Sequence, residues 1–285
     1  MIEVVLKEHI NLNFSIIILQ YNNFNDTKKC VNSLLNFTKE TLRIVIVDNG
    51  SQKFDKLKLN KFAENKKDTY VINSPINLGF SAGNNLGYKY AKKNLNSDFI
   101  ILLNNDTTIN QKNFFKEIDK LYRREKFAVC GPDIYNPLTG KHQSPFFKTN
   151  KITPMFMCKL IVKSIFDPVI NIIKFNKKCP CLSKEMCRGV CTHGACWILS
   201  KEYFEKFPDG LNDKLFMYGE EILLSLNLEK KNLIQIYSPK LQINHFEGGS
   251  TTTNYQFSFS KYIFKTRNEV RSLNTIRKML LKKEV

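Results

Sequence analysis

No apolar run in this chain is both long and clean enough to cross a bilayer. The longest, residues 154–173, is interrupted by Lys159, Lys163, Asp167 and Pro168, whereas a spanning helix needs about 20 mostly apolar residues. The first 13 residues carry Glu3, Lys7, Glu8 and His9 and lack the apolar core and cleavage site of a secretory signal. A cytoplasmic location is therefore expected, with the eight cysteines as reduced thiols. C-x-x-C knuckles are missing as well. Cys179, Cys181, Cys187, Cys191 and Cys196 cluster around His193, but without zinc-ribbon spacing, so unligated cysteines are expected. There is no internal repeat and no low-complexity linker. Acid is scarce: 26 Asp and Glu stand against 44 Lys and Arg, a net charge of +18. That excess points to an anionic partner: nucleic acid, a membrane surface or a phosphorylated small molecule. A nucleic-acid reader would carry a recognition helix or stacking aromatics in a defined motif. None is visible, so no nucleic-acid partner is expected.

What is present is a folded core. The 22 Phe and 11 Tyr supply ample apolar surface to bury. Residues 14–19 form a continuous β-branched run that predicts a buried parallel strand. Asp26 is a candidate N-cap, followed by Cys30, Val31, Leu34 and Leu35 at helical spacing. Further strands are predicted over 42–47, 69–72, 98–103 and 127–130, with helices over 84–93 and 111–124. This alternation argues for an α/β fold: a mostly parallel central sheet, doubly wound, flanked by helices with right-handed crossovers. Beyond it, 145–188 shows no clear strand. Residues 192–199 read as strand, the chain after Lys214 leads into a helix ending near Lys230, and 234–237 and 241–244 read as two short strands. Residues 259–283 read as a basic helix. A single domain over 1–285 is expected, with a first half at 10–108 and a second at 109–255. The second half carries a basic apolar insertion at 147–188, and a basic C-terminal helix occupies 256–285.

Polar residues gather where such sheets bind ligands, at the carboxyl ends of strands. Gln20, Tyr21 and Asn22 follow the first strand, and Asp48 and Asn49 the second. Residues 77–85 form a loop rich in Asn and Gly, and Asn104, Asn105 and Asp106 follow the fourth strand. Four such clusters in sequence describe a binding crevice.

The chain resembles the family-2 inverting glycosyltransferases of GT-A fold, in the bacterial rhamnosyltransferase-like branch of surface-polysaccharide synthesis. The resemblance runs over about residues 14–270. It rests on Ser-Ile-Ile-Ile-Leu-Gln-Tyr-Asn at 15–22, Val-Asp-Asn-Gly-Ser at 47–51 and Asn-Leu-Gly-Phe-Ser-Ala-Gly-Asn-Asn at 77–85. Leu-Leu-Asn-Asn-Asp at 102–106, Gly-Ala-Cys at 194–196, Phe-Met-Tyr-Gly-Glu-Glu at 216–221 and His245 continue it. It implies a nucleotide-diphosphate sugar donor, dTDP- or UDP-linked, and a glycan or lipid-linked acceptor.

It also implies residue roles. Asp106 and His245 become metal ligands for Mn²⁺ or Mg²⁺, a set of oxygen and imidazole donors that suits either ion. Gln20, Tyr21, Asn22, Asp48, Asn77, Gly79, Phe80, Gly83, Asn84, Asn104, Asn105 and Arg267 become donor contacts. Gly79 and Gly83 are expected to let backbone approach the ligand, ahead of a helix N-terminus that favours a diphosphate. Glu221 becomes the base and Glu220 orients the acceptor. Leu223 and Asn227 stand where the family carries Asp and Arg one helical turn apart. Losing both removes a pair without stranding a charge, which reads as a repacked helix. An inactive relative serving as a partner subunit is the alternative.

The positive charge is uneven. Residues 147–188 hold nine cations against two anions, and residues 261–285 hold eight against two. If helical, the first segment sets Lys159, Lys163, Asp167 and Asn171 in one stripe against a wide apolar face, with Pro168 bending or splitting it. Two readings follow: a helix lying on anionic lipid, giving peripheral inner-membrane association, or a helix packed on the domain core.

Overall fold

The computed structural model describes residues 12–37, 41–172, 185–246 and 259–285. Its first half is a regular α/β winding. It runs β1 (Asn13–Gln20), α1 (Phe24–Leu34), β2 (Thr41–Asn49), α2 (Lys53–Glu64), β3 (Thr69–Ser74), α3 (Phe80–Asn94), β4 (Phe99–Asn104), the short β5 (Thr107–Thr108) and α4 (Phe114–Glu125). The second half contains β6 (Val129–Asn136), β7 (Lys141–His142), β8 (Phe147–Lys148) and α5 (Pro154–Ile172). It continues with β9 (Cys187–Arg188), β10 (Val190–Cys191), β11 (Cys196–Leu199), α6 (Lys201–Lys206), α7 (Glu220–Lys230), β12 (Gln235–His245) and α8 (Phe259–Leu281).

The main sheet has the order β3-β2-β1-β4-β11-β6-β12-β5. The first four strands are parallel. β11 inserts antiparallel between β4 and β6, and β12 runs parallel to β6. Alternate residues of β1 serve opposite faces. Ile16 and Ile18 meet Val31, Leu34 and Phe115 on one side, and Ile17 meets Tyr88 and Trp197 on the other. Both faces are covered, which is why the strands read as unbroken apolar runs. A third cluster lies off the sheet, where Met157 of α5, Leu223 and Leu226 of α7, and Leu273 and Ile276 of α8 pack together.

The structure corrects several expectations. The strands predicted at 234–237 and 241–244 are one strand, β12, with a register shift between Ser238 and Gln242. Pro239 sits inside that shift, where its missing N–H costs no ladder bond. Of the strand-like stretch 192–199 only Cys196–Leu199 is strand, β11, with the short β10 just before it at 190–191, and the strand predicted from 127 starts at Val129. Pro168 does not split the insertion helix, for α5 continues to Ile172. Cys179 and Cys181 lie outside the described residues. Among the described residues no three His, Cys, Asp or Glu side chains could hold a metal together. No described helix is long and apolar enough to cross a membrane.

α5 packs on the core through Met157, Leu160 and Ile161 and still exposes Met155, Val162, Ile165 and Phe166. The core-packed reading thus holds for one face of the helix, and the other face is exposed.

Candidate active site

The strand ends open into one cavity of about 700 Å³, a size that suits a nucleotide sugar. Its sheet-side wall is fixed by Asn49, the last residue of β2. The Asn49 side chain donates to Asn77 Oδ1 and the Gly79 carbonyl, each at 3.0 Å, and accepts the Leu78 amide at 3.0 Å. One buried amide thus holds the loop 77–79 in place. Gly79 has φ +83°, and a Cβ there would collide with the Phe216 carbonyl. Glycine is needed for both reasons. The Phe80 amide, first in α3, donates to that same carbonyl at 2.9 Å.

Here the structure departs from expectation. α3 begins at Phe80, not Asn84, so Gly83 and Asn84 lie within the helix. The space that Gly83 leaves is taken by Leu19 and Asn49, and Asn84 Nδ2 donates to the Phe80 carbonyl. These glycines bring protein to protein, and the leading amide of the helix is already bonded.

Deeper in, Gln20 and Asp48 are register partners on β1 and β2 and both are fully buried. Gln20 Nε2 reaches Asp48 Oδ1 at 3.4 Å, while Gln20 Oε1 and Asp48 Oδ2 have no partner. Buried polar atoms are rarely left unpaired. Asn22, in the left-handed region at φ +52°, accepts the Gln52 amide at 2.7 Å and so ties two loops together. Tyr21 stands exposed at the cavity rim.

A second corner forms where β12 ends against β5. His245 pairs in register with Thr107, which carries its ring over Asp106. His245 Nε2 lies 3.2 Å from Asp106 Oδ1. His245 Nδ1 lies 2.8 Å from Gln143 Oε1. Both ring nitrogens thus face oxygen acceptors, the Gln143 amide oxygen on one side and the Asp106 carboxylate on the other. A carboxylate and an imidazole converge here with the ring oriented from behind, two residues that could hold a divalent cation. Asn105 lines the cavity, but its amide is spent on the Asn23 carbonyl and Thr27.

Opposite stands the acidic pair. Tyr218 and Gly219 take φ +68° and +87° in succession, and this turn aims the N-terminus of α7 at the cavity. Glu221 Oε1 accepts the Gly194 amide at 3.4 Å. Burial raises the Glu221 carboxyl, and the nearby Glu269 adds to the shift. Burial and the neighbouring Glu221 push Glu220 up to about 8, and Glu220 Oε1 has no partner. Both carboxyls of the pair are thus raised, by burial and by the charge beside them. Leu223 is buried in the third apolar cluster, and Asn227 lines a small void with Ser81 and Glu220.

The cavity gathers Tyr21, Asn77, Gly79, Phe80, Asn104, Asn105, Asp106, Glu220 and Glu221 of the expected residues. Gln20, Asp48 and His245 sit behind this surface. Arg267 is exposed on α8 and is not part of the lining. Sequence reasoning missed Asn49 as the loop anchor, Gln143 behind His245, and His193. It also missed the outer wall, where Lys163 and Ser164 of α5 face Lys265 and Glu269 of α8. Ser164 donates to Glu269 Oε2 at 2.9 Å. The signal for that wall was present in the lysine stripe of α5, but nothing in the sequence paired α5 with α8.

A family model described as Glycosyl transferase family 2 matches residues 15–176. Over 225 residues the chain is 25% identical to the low-salt glycan biosynthesis hexosyltransferase Agl10 of Haloferax volcanii, covering 77% of this chain and 62% of that protein. It spans less than two thirds of that relative. Among solved structures, S. aureus TarS 1–349 superposes with a TM-score of 0.51 at 16% identity, over 80% of this chain and 60% of that one. GalNAc-T7 with UDP, GalNAc and Mn²⁺ superposes with a TM-score of 0.60 at 14% identity, over 94% and 57%. At such identities the likeness is one of fold.

Proposed function

The chain belongs to glycosyl transferase family 2, and from that premise we propose that it moves a hexose from a nucleotide-diphosphate sugar to a hydroxyl of a glycan or lipid-linked acceptor, with inversion. Its GT-A fold supplies the frame. One observation carries the reading: Asp106 at the end of β4 and the Glu220–Glu221 pair at the start of α7 face one cavity of about 700 Å³. The relative's description as a glycan-biosynthesis hexosyltransferase supports the same chemistry.

On the nucleotide side, the unpaired oxygens of Asp48 and Gln20 suit the N–H of a pyrimidine or a ribose hydroxyl. Tyr21 at the rim packs against the base. Asp106 and His245 would hold Mn²⁺ or Mg²⁺, as the fold neighbour containing Mn²⁺ and UDP supports. A divalent cation there supplies Lewis-acid stabilisation of the departing diphosphate. Glu221 accepts the proton of the acceptor hydroxyl. That oxygen bonds to the anomeric carbon while the bond to the diphosphate breaks, its electron pair leaving with the nucleotide. Protonated Glu220 orients the acceptor as a donor of hydrogen bonds. The exposed Val162, Ile165, Phe166, Ile263 and Phe264 beside Lys159 and Lys265 support an acceptor presented at an anionic lipid surface. Vesicle flotation tests that arrangement, with recovery expected only on anionic lipid.

The deciding experiment is a thermal-shift panel of UDP- and dTDP-hexoses with and without Mn²⁺. Stabilisation by a particular donor, larger with metal, is expected. A chain shifted by none of them is not a sugar transferase of this kind.

A further inference from the structure

His193 is a histidine for which the mechanism above has no use. It precedes β11 in the stretch Thr192-His193-Gly194-Ala195 and lines the cavity. Its ring centroid lies 5.3 Å from that of His245, nearly perpendicular to it, and 5.1 Å from that of Phe146. Two histidines side by side at this corner suggest two ligands, but their hydrogen bonds differ. His193 Nδ1 takes the Ala195 amide at 3.0 Å. A ring nitrogen that accepts an N–H carries no proton, so the proton sits on Nε2. Nε2 has no hydrogen-bond partner among the described residues. His245 faces an acceptor at each nitrogen, Gln143 Oε1 at Nδ1 and Asp106 Oδ1 at Nε2. Only His193 has its outer nitrogen fixed as a donor by a backbone N–H on the inner one.

A neutral ring with Nε2–H cannot bind a metal through that atom. It can serve an oxygen lying beside the metal. In a site holding a nucleotide-diphosphate sugar, the oxygens nearest a divalent cation are those of the diphosphate. We propose that His193 is a donor-binding residue that gives its Nε2–H to a diphosphate oxygen of the nucleotide sugar. The backbone builds this contact in: the Ala195 amide precedes β11, whose Cys196 pairs with Leu103 of β4, so the ring is set by the same strand pair that carries Asp106. The inference rests on the donor site proposed above and adds to it a ligand atom and a recognising group.

Two substitutions separate the ring's two nitrogens. His193→Asn retains an oxygen where Nδ1 accepts the Ala195 amide and loses the outer donor. His193→Gln places an N–H near the position of Nε2. Calorimetric titration of the full chain with UDP and dTDP in Mn²⁺ reads the result, with thermal melts to confirm that each variant folds. His193→Asn is expected to weaken nucleoside-diphosphate binding roughly ten- to hundredfold, the range for a hydrogen bond to a charged group. His193→Gln is expected to recover most of that loss.

Equal binding by all three proteins overturns the inference while leaving the donor site standing. Loss confined to the nucleotide sugar, with the free diphosphate unaffected, also overturns it and moves the contact to a sugar hydroxyl. So does loss of Mn²⁺ binding in the absence of nucleotide, which would make His193 a ligand. A wild-type chain that binds no nucleoside diphosphate removes the donor site and this inference together.

Discussion

The sheet side of the cavity is made of short polar side chains at strand ends, each locked to main chain. Asn49 alone holds three groups of the 77–79 loop, and Asp106 is fixed by the strand pair that brings His245 over it. Across the cavity, α5, α7 and α8 pack through Met157, Leu223, Leu226, Leu273 and Ile276, and that apolar packing carries the charged side chains Lys163, Glu220, Glu221, Lys265 and Glu269 into the lining. The sheet side is specified by hydrogen bonds and the helical side by volume. Substitutions should therefore damage the two sides in different ways.

The largest effect is expected on the helical side, where one carboxylate does the proton transfer. Glu221→Gln should lower kcat by about 10²–10⁴ with donor affinity unchanged, read by transfer assay and calorimetry. A loss of less than fivefold would end its role as base. Next, Leu223→Asp restores the family's acid at a position that here lies among apolar side chains. It should cost about 3 kcal/mol in urea unfolding. A neutral result would mean that α7 is not packed as described.

On the sheet side, Gly79→Ala adds one methyl against the Phe216 carbonyl at φ +83°. About 2 kcal/mol of stability should go, with a rise in donor Kd that Leu223→Asp does not share.

The smallest effect is Glu220→Gln. A carboxyl pushed up to about 8 is already neutral at pH 7, so activity there should change by no more than about threefold, the loss of one modest hydrogen bond. The raised pKa fixes the sign for stability. The folded chain holds this proton from the ordinary carboxylate range up to about pH 8, while the unfolded chain has released it. Stability from this group is thus full at low pH and falls as pH rises through that window. Urea unfolding at pH 5, 7 and 9 should show the fall in wild type and a flatter profile in Glu220→Gln.

The sheet side was the more legible of the two in sequence, because its signals are local. Apolar runs ending in Asp48 or Asp106 announce a strand and its mouth. The late helix start, at Asn84 rather than Phe80, has a physical origin. Ser81 and Gly83 are poor helix formers, so the stretch 80–83 reads as loop. α3 forms through it because Gly83 and Gly87 let the helix settle onto Leu19 and Ile17 of β1, and that packing outweighs propensity. His193 and Gln143 carried no local signal. Gln143 is set 102 residues from His245 and His193 by a strand pairing with β4, so neither role exists until the sheet closes. The outer wall was hidden for the same reason, since the contact between α5 and α8 joins Ser164 to Glu269 over 105 residues.

The notch at Gly79 has one more consequence. The Phe216 carbonyl fills the space that a side chain at 79 would occupy and also takes the Phe80 amide. The 77–79 loop and the loop that leads into the carboxylates are therefore fastened to each other at one carbonyl. Two residues past Phe216 the chain turns through Tyr218 and Gly219 into Glu220, too short a run to absorb slack. Under the proposed function, a nucleotide seated against 77–80 is expected to set the height of the acidic pair, with the donor placed first and the acceptor meeting a finished surface.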